Sequence, residues 1–320
     1  MLAIHAAITV VPERVAFGAI QARERNVGYL HMLLKSARPA RPRGKGRIKD
    51  HEIARFTPSA PTRLPIASPA TSLADLASAA THALPREAVV GTTHIVLAHA
   101  TLNQAVAEAI PGRLQHELGL KRVLPLAVTQ LGSLGFYAAL PLLEGLLGDG
   151  QALVVAADKW LYPLFRGFGD LVAYGDGAAA MIMRRDPAGA TAVIHGHALE
   201  LGPAIDDPWA RTPAELRAQL VPLAIAAGRR AIQRAKLERP AIDAILPAGF
   251  GAAEIDAVAG ALELRNAPRA AGHLSSADTP IALVEAQRAL AAGERKTVLV
   301  WDAALCGAAA AAVVELRGAP

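Results

Sequence analysis

The stretch that decides the fold is a turn of small residues followed by an apolar run, YGDGAAAMIM over residues 174–183. A related arrangement closes the chain, where CGAAAAAVV over residues 306–314 again leads small residues into an apolar run. A strand-like segment precedes each turn, at 152–156 and at 297–301, and a helical pattern precedes each segment. The sequence therefore predicts an internal duplication, in which each half ends in helix, strand, small-residue turn and strand.

Apolar strand-like runs alternate with amphipathic helical patterns along the chain, which predicts an α/β fold. The expected strands are 94–98, 152–156, 178–183, 192–197, 244–246, 297–301 and 309–316. The expected helices are 73–84, 104–118, 136–147, 214–235, 253–262 and 280–292. We expect the first half to cover residues 1–186 and the second half to cover residues 187–320.

The composition favours a compact protein of a reducing compartment. Of the 320 residues, 52% are hydrophobic and 19% are charged, which is enough to build a sizeable core. A single cysteine, Cys306, excludes an intrachain disulfide. No apolar stretch reaches the roughly 18 residues that a membrane span needs, and the first residues lack the basic region of a signal peptide. We therefore expect a cytoplasmic protein with no membrane partner.

Much of the net charge of +5 comes from a basic stretch at residues 38–49 that prolines and glycines interrupt. It carries no interleaved aromatic residues and no nucleic-acid-binding motif, so a nucleic-acid partner is not expected. The stretch is either a solvated loop or a basic rim for an anionic partner, such as the phosphates of coenzyme A or an acidic carrier protein.

Two helix starts carry candidate catalytic residues. The run QLGSLGFYAAL over residues 130–140 places Ser133 between an apolar run and a helix. Backbone N–H groups and the positive end of the helix dipole favour an oxyanion or an activated nucleophile there, although an ordinary N-cap serine is the alternative. His273 precedes the last helix of the second half. If the halves pack with pseudo-twofold symmetry, Ser133 and His273 become equivalent positions that face one site.

These motifs resemble the thiolase-fold condensing enzymes, and among them the ketoacyl-ACP synthase III type. The resemblance rests on the Gly-Asp-Gly-Ala run and on its spacing from the Ser133 turn, from Ile245-Leu246-Pro247 and from the final helix. It extends from about residue 4 to residue 316. It implies a thiolase fold, with two duplicated βαβαβ-type halves in a five-layered αβαβα arrangement. It also implies a dimer, formed through strands near residues 175–183.

The sequence departs from the catalytic pattern that this resemblance implies. The family uses a Cys-His-Asn triad for decarboxylative condensation. Ser133 falls at the cysteine position, Ala248 falls at the first histidine position, and His273 falls at the asparagine position. Because alanine cannot donate a hydrogen bond to the developing charge, standard decarboxylative carbon–carbon bond formation is not expected.

A subgroup of ketoacyl-synthase-III-like acyltransferases resembles the chain more closely. Its members use a histidine at the asparagine position, oriented by an aspartate five residues later, and some carry a nucleophilic serine. The resemblance implies that Ser133 is the nucleophile, His273 the general base and Asp278 the residue that orients it. Asp278 or Thr279 is also expected to cap the final helix, with Pro280 at its first position.

The remaining site expectations concern the turns. The oxyanion donors are expected to be the N–H of Ser133 and one N–H of the 304–307 loop, at Leu305 or Cys306. The Cys306 side chain is expected to be a small, inert packing residue, and Asp176 is expected to brace its turn. Aromatic residues of one loop are expected to cap a pocket or interface, or to pack on their own core: Trp160, Tyr162, Phe165 and Phe168.

The expected function is ping-pong acyl transfer. Ser133 would take an acyl group from an acyl-CoA or acyl-carrier-protein thioester and pass it to a hydroxyl, amine or thiol, in polyketide or fatty-acid-like secondary metabolism. No permanently bound cofactor is expected, and no metal, since the histidine pairs lack a third ligand nearby. The chain would act as a homodimer or as a heterodimer with a related condensing-enzyme subunit. Three alternatives stay open: a catalytically silent partner subunit, a thioester hydrolase and an atypical condensing enzyme.

Overall fold

The computed structural model describes residues 1–19, 63–103, 108–160, 166–237, 241–269 and 272–319. The elements of the first half are β1 (Leu2–Val10), β2 (Arg14–Ala16), β3 (Arg63–Pro65), α1 (Leu73–His82), α2 (Arg86–Val89), β4 (Thr92–Ala98), α3 (Ile110–Glu117), β5 (Leu124–Val128), α4 (Gly135–Leu146), β6 (Gln151–Asp158), β7 (Gly167–Phe168), β8 (Val172–Ala173) and β9 (Gly177–Arg184). Those of the second half are β10 (Ala192–Leu201), α5 (Pro213–Ala235), β11 (Ala244–Leu246), α6 (Ala252–Leu262), α7 (Asp278–Arg288), β12 (Arg295–Ala304) and β13 (Ala308–Arg317). Short 3₁₀ turns precede α4 (Gly132–Leu134), α5 (Pro208–Ala210) and α7 (Ser275–Ala277).

Nine strands form one mixed sheet in the order β11-β12-β13-β10-β1-β9-β6-β4-β5. Strand β4 runs parallel to β5 and β6, and β11 runs parallel to β12, while the other neighbours are antiparallel. Strands β6 and β9 are buried along almost their whole length. Helices therefore cover both faces of these strands, which explains their continuous apolar runs in the sequence.

The two halves repeat one strand order, which confirms the predicted duplication. From the centre outward, the first half runs β1, β9, β6, β4 and β5, and the second runs β10, β13, β12 and β11. In place of a strand matching β5, the second half has a single parallel bridge between Ile245 and Asn266.

The halves meet where β1 and β10 pair antiparallel around the Ala3–Val193 pair. Both central strands carry a bulge at the matching point, immediately after Ile4 in β1 and after Ile194 in β10. A pseudo-twofold axis at the Ala3–Val193 pair therefore relates the two halves. Strand β1 was not among the expected strands, yet it takes this central place.

The helices complete five layers. Helix α4 contacts strands of both halves, including β4 and β13, and α7 likewise contacts both β9 and β12. Helices α1 and α3 pack on the first-half strands, and α5 packs on the second-half strands with α6 beside it. The layers are thus α1/α3, the first-half strands, α4/α7, the second-half strands and α5/α6. The expected five-layered thiolase arrangement is confirmed.

Gly135 allows the helix that follows Ser133 to begin in close contact with the sheet. A Cβ on Gly135 would lie 3.1 Å from the Ala98 Cβ and 3.3 Å from the Val128 carbonyl oxygen. The absence of a side chain lets α4 begin directly against β4 and β5. This packing brings the turn before α4 to the middle of the molecule.

Two expected helices begin two or more residues away from their expected starts. The helix expected at 104–118 begins at Ile110, with Pro111 in its first turn, where the missing proline N–H does no harm; residues 104–107 lie outside the described residues. The final helix begins at Asp278 with Ala277 as its N-cap, so neither Asp278 nor Thr279 caps it. The 3₁₀ turn before α7 moves the helix start two residues ahead of Pro280.

The expected dimer contact near residues 175–183 is wrong. Strand β9 pairs with β1 on one side and β6 on the other, and Gly177–Met183 is entirely buried. The strands at the two ends of the sheet are β5 and β11 instead. No helix within the described ranges is both long and apolar enough to cross a membrane. The basic stretch 38–49 lies outside the described residues.

Candidate active site

The 3₁₀ turns before α4 and α7 contact each other where the halves meet, so the two helix starts face one site, as the duplication predicted. The turns share a backbone conformation. Leu131 and Leu274 have φ/ψ of −110°/23° and −97°/25°, and Gly132 and Ser275 follow with φ of 56° and 53°. This left-handed residue fixes the register of the turns, which makes Ser276 the equivalent of Ser133.

The expected equivalence of Ser133 and His273 is therefore wrong. His273 lies three residues before Ser276 and matches Gln130 in the first half. The two residues still share the junction between the halves, because the turns touch.

Ser133 caps no helix. The N-cap positions of its 3₁₀ turn and of α4 are Leu131 and Leu134, neither with a side-chain cap. The Ser133 side chain is buried, and its hydroxyl donates to the Ala303 carbonyl oxygen at 3.3 Å. This distance is long for an O–H···O bond, so the hydrogen bond from Ser133 to Ala303 is weak.

Within the described residues the backbone N–H of Ser133 has no acceptor, whereas the N–H of the equivalent Ser276 donates a hydrogen bond. The Ser276 N–H donates to Asp158 Oδ2 at 2.8 Å, and Asp158 is the last paired residue of β6. In the second half the last paired residue of β12 is Ala304, which has no side-chain acceptor. Among the described residues, none accepts from the Ser133 N–H, which leaves it available to an oxyanion.

His273 is fully buried between two aromatic rings, with its ring centre 5.3 Å from those of Tyr174 and Phe250. Its Nε2 lies 2.9 Å from Asp302 Oδ1, and its Nδ1 accepts the Ser275 N–H at 2.9 Å. An acceptor at Nδ1 places the ring proton on Nε2, where it faces Asp302. Both nitrogens are thus occupied, and within the described part of the chain no hydrogen bond joins His273 to Ser133.

Asp278 holds the loops around His273. Its Oδ1 accepts the Leu274 N–H at 2.7 Å and pairs with Arg269, and its Oδ2 accepts the Gly249 N–H at 3.1 Å. The closest approach to His273 is 3.8 Å, from Oδ1 to Nδ1, which is too long for a hydrogen bond. In this conformation Asp278 acts on the imidazole by charge and not by a direct hydrogen bond.

Asp302 is the residue that the sequence reasoning missed. It lies in β12 and is completely buried, with Oδ1 accepting from the Ala303 N–H at 2.6 Å as well as facing His273. The available signal was a lone acid inside the apolar run VLVWDAAL over residues 298–305. A buried carboxylate requires a partner, so such an acid points to a polar site.

The charges of this cluster shift the pKa values in different directions. Burial opposes a charged His273, but the carboxylates of Asp278 and Asp302 outweigh it and raise the pKa of the imidazole. Burial also opposes ionisation of Asp278, yet Arg269, His273 and the N–H donors hold its pKa below the usual value. For Asp302 burial prevails and raises the pKa, although His273 and the Ser133 hydroxyl lower it in part.

Three potential metal ligands converge in the described structure, namely His273, Asp278 and Asp302. Both nitrogens of His273 and both oxygens of Asp278 already have hydrogen-bond partners, and the Arg269 cation lies against Asp278. The cluster therefore fits a network of paired charges better than a site for a cation.

The expected second oxyanion donors, Leu305 and Cys306, lie at the tip of the β12–β13 hairpin. The turn is closed by the Gly307 N–H, which donates to the Ala304 carbonyl oxygen at 3.0 Å. The Leu305 and Cys306 N–H groups donate to none of the described residues. The Cys306 side chain is exposed, so the expectation of a buried packing residue is wrong. Partial desolvation raises the pKa of its thiol, which keeps it protonated at neutral pH.

Asp176 braces its turn, as predicted. Its carboxylate accepts the backbone N–H groups of Ala67 and Trp160, both at 2.9 Å, and pairs with the buried Arg166 at 2.8 Å. Trp160 stacks on Tyr174, with ring centres 4.4 Å apart. Of the other expected loop aromatics, Phe168 is buried in the second-half core, while residues 162 and 165 lie outside the described residues.

Position 248, where the resemblance implies a catalytic histidine, lies in apolar surroundings. Ala248 is buried in a cluster with Phe250 and Trp301. The next residue packs tightly on the His273 loop, since a Cβ on Gly249 would lie 2.5 Å from the His273 Cα. No side-chain donor is available at position 248 to stabilise a decarboxylating thioester.

No family model matches the chain, and no curated protein matches it either. Solved structures match over nearly the whole chain. ChlB3, described as an acyltransferase, is 18% identical with a TM-score of 0.71, over 99% of this chain and 98% of its own. The β-ketoacyl-[acyl carrier protein] synthase III from Thermus thermophilus is 20% identical with a TM-score of 0.68, over 99% and 100%. AbyA1, a tetronic acid condensing enzyme, is 17% identical with a TM-score of 0.66, over 98% and 99%. The chain therefore has the thiolase fold in the form shared by the ketoacyl-ACP synthase III structures.

Proposed function

We propose that this protein is an acyltransferase. It takes an acyl group from a thioester of coenzyme A or an acyl carrier protein, holds it as an ester on Ser133, and passes it to a hydroxyl, amine or thiol. The observation that carries the proposal is the placement of Ser133: a buried serine with a free backbone N–H at a helix start, beside a buried carboxylate and imidazole. The names of the structural neighbours, which include ChlB3 and a polyketide-pathway priming β-ketosynthase, support this chemistry and a biosynthetic role.

The reaction proceeds in two half-reactions. The Ser133 oxygen bonds to the thioester carbonyl carbon, and the Ser133 N–H binds the oxyanion together with an N–H of Leu305 or Cys306; one such donor typically contributes about 10²–10³ in rate. The carbon–sulfur bond then breaks and the thiol leaves. In the second half-reaction the acceptor attacks the ester and releases Ser133. His273 and Asp278 belong to the same site: His273 carries a proton at Nε2, and Asp278 fixes the backbone beside it through Leu274.

Transfer is favoured over condensation because of Ala248. A condensing enzyme must stabilise the carbanion formed on decarboxylation, and the methyl group at this position donates no hydrogen bond. The acyl group therefore goes to a heteroatom that already carries a lone pair.

The test is intact mass spectrometry of the protein after incubation with a panel of acyl-CoA thioesters. Ser276→Ala is the matched control, because Ser276 occupies the equivalent turn position in the second half. The wild type and Ser276→Ala gain the mass of the acyl group, and Ser133→Ala does not. In Ser133→Cys the adduct becomes a thioester that hydroxylamine removes.

Other outcomes identify the alternatives. No adduct and no thioester consumption with any donor, including a carrier-protein thioester, overturns the proposal and indicates a silent partner subunit. Fast release of free acid without an acceptor indicates a thioester hydrolase. A carbon–carbon coupled product from a malonyl donor indicates a condensing enzyme.

A further inference from the structure

One oxygen of the buried Asp302 carboxylate has no hydrogen-bond partner in the part of the chain that the structure describes. Oδ1 faces His273 and accepts the Ala303 N–H, but Oδ2 makes no hydrogen bond within the described residues. Leaving a buried acceptor unpaired is unfavourable, and more so for a charged group. A buried carboxylate oxygen without a partner, at the junction of the two halves, is a candidate proton acceptor.

The Ser133 hydroxyl contacts the backbone of β12 one residue beyond this carboxylate. It donates weakly to the carbonyl of Ala303, the residue that follows Asp302 in β12. The Ser133 side chain is also among the groups that lower the pKa of Asp302, which is consistent with a hydroxyl close to that carboxylate. Rotation about the serine Cβ–Oγ bond re-aims the O–H away from the Ala303 carbonyl oxygen without moving the serine oxygen.

His273 is not placed to take this proton. Its Nδ1 lone pair is used by the Ser275 N–H, and its Nε2 carries a hydrogen directed at Asp302. A direct attack on the Ser133 proton would require the buried ring to leave both partners. The order of groups from the serine inward is thus hydroxyl, carboxylate, imidazole.

We propose that Asp302 accepts the Ser133 proton, and that His273 is a positioning residue that holds Asp302 through Oδ1. This inference rests on the proposed acyl transfer. As the serine oxygen bonds to the thioester carbon, its proton moves to Asp302 Oδ2. When the carbon–sulfur bond breaks, the same proton moves to the leaving thiolate, which departs as a thiol. In the second half-reaction the acceptor gives its proton to Asp302, and the carboxyl returns it to the Ser133 oxygen as the ester bond breaks.

The groups around Asp302 set the pH range of this step. Burial and Asp278, which pairs with Arg269, raise the pKa of Asp302, whereas His273 lowers it. Burial and the charge of Asp302 likewise raise the pKa of Tyr137 in α4 and of Tyr174 before β9. Asp302 must be ionised to accept a proton, and burial raises its pKa. The rate of acylation is therefore expected to increase with pH as Asp302 ionises. This acid limb of the pH profile lies above the pH range of an ordinary aspartate, which has a pKa of about 3.9.

The test measures the rate of Ser133 acylation in a single turnover, by quenched-flow mass spectrometry, between pH 4.5 and 8.5. Asp302→Asn slows acylation by about 10²–10⁴-fold, the usual contribution of a general base, and removes the acid limb. His273→Gln slows it by a smaller factor and keeps the limb. The limb moves to higher pH, because His273 lowers the pKa of Asp302.

Two results overturn the inference. One is an acid limb that disappears in His273→Gln but persists in Asp302→Asn, which makes His273 the base. The other is acylation of Asp302→Asn within threefold of the wild type. If Asp302→Asn does not fold, the Ser133→Cys protein provides the test. A thiol ionises without a general base, with a usual pKa of about 8.5, so its acid limb must move toward the pH range of the thiol. A limb that stays where it lies in the wild type contradicts the role of Asp302. Failure of the wild type to form any acyl-Ser133 rejects the proposed function itself, before these variants are compared.

Discussion

Replacing Arg269 with methionine tests whether the buried charge cluster is a set of matched pairs. The Arg269 guanidinium pairs with Asp278 and donates to the Pro247 carbonyl, while its side chain is only 14% exposed. Removing one partner of a buried pair typically costs about 3–5 kcal/mol, because the other charge stays behind uncompensated. Asp278 keeps the N–H groups of Leu274 and Gly249, so we expect a loss near the lower end, about 3 kcal/mol.

The loss of unfolding free energy in Arg269→Met should depend on pH. In the wild type the pKa of Asp278 is lowered in the folded protein, so its contribution to stability is present above the unfolded pKa and is lost as the pH falls through the folded pKa. Without Arg269, burial prevails and the pKa rises. The folded variant then binds a proton more readily than the unfolded chain. Its stability therefore falls as pH rises, and the gap to the wild type is wider at pH 7.5 than at pH 5.

Urea unfolding followed by tryptophan fluorescence at the two pH values measures this gap. The control is Arg184→Met, because Arg184 Nε donates to the neutral Gln151 Oε1 at 2.8 Å. Loss of a hydrogen bond to a neutral partner costs about 1 kcal/mol, with no dependence on pH. A loss below about 1 kcal/mol for Arg269→Met, or one that is equal at both pH values, would show that Arg269 and Asp278 do not form a matched buried pair.

Three further predictions concern the framework of the site. Leu143→Ala, in the buried face of α4, lowers the free energy of unfolding by about 2–5 kcal/mol, whereas Leu142→Ala, at a side chain 44% exposed, changes it by about 0.5 kcal/mol or less in the same urea assay. Gly132→Ala is strained at φ 56°, with its Cβ 2.8 Å from that of Ala304. It should cost about 1–3 kcal/mol and slow the appearance of the acyl adduct; equal adduct formation would show that the turn tolerates the shift. Asp176→Asn breaks a buried ion pair and lowers the unfolding free energy by about 3–5 kcal/mol; a change below 1 kcal/mol would contradict its bracing role.

The sequence predicted most of the elements because the layers bury long apolar runs. Strands such as 152–156 and 178–183 could be found since both faces are covered by helices. Strand β1 was harder, because part of it is only half-buried and nothing local marks it as the centre of the sheet. Its position depends on pairing with β9 and β10, residues far away along the chain.

The site was predicted only in part. Small-residue turns and helix starts identified Ser133 and His273, because turn chemistry is local. The sequence did not show which residues of the two turns are equivalent. That equivalence depends on the left-handed conformation at Gly132 and Ser275, and a serine gives no sequence signal for this conformation. Asp278 was expected to orient His273, but spacing along the chain does not tell which side of a carboxylate faces a ring.

The α/β class, the duplication and the two helix starts could be predicted from hydrophobic periodicity and turn residues, because these signals act over short distances along the chain. The five-layered arrangement was implied by the resemblance to the thiolase-fold enzymes. Only the tertiary structure decided which carboxylate meets the imidazole. Asp302 sits within an apolar strand, and it gains His273 as a partner because β12 ends against the turns before α4 and α7. Burial of opposite charges is settled by three-dimensional packing, which brings together residues 29 positions apart here and 170 positions apart at Ser133 and Ala303.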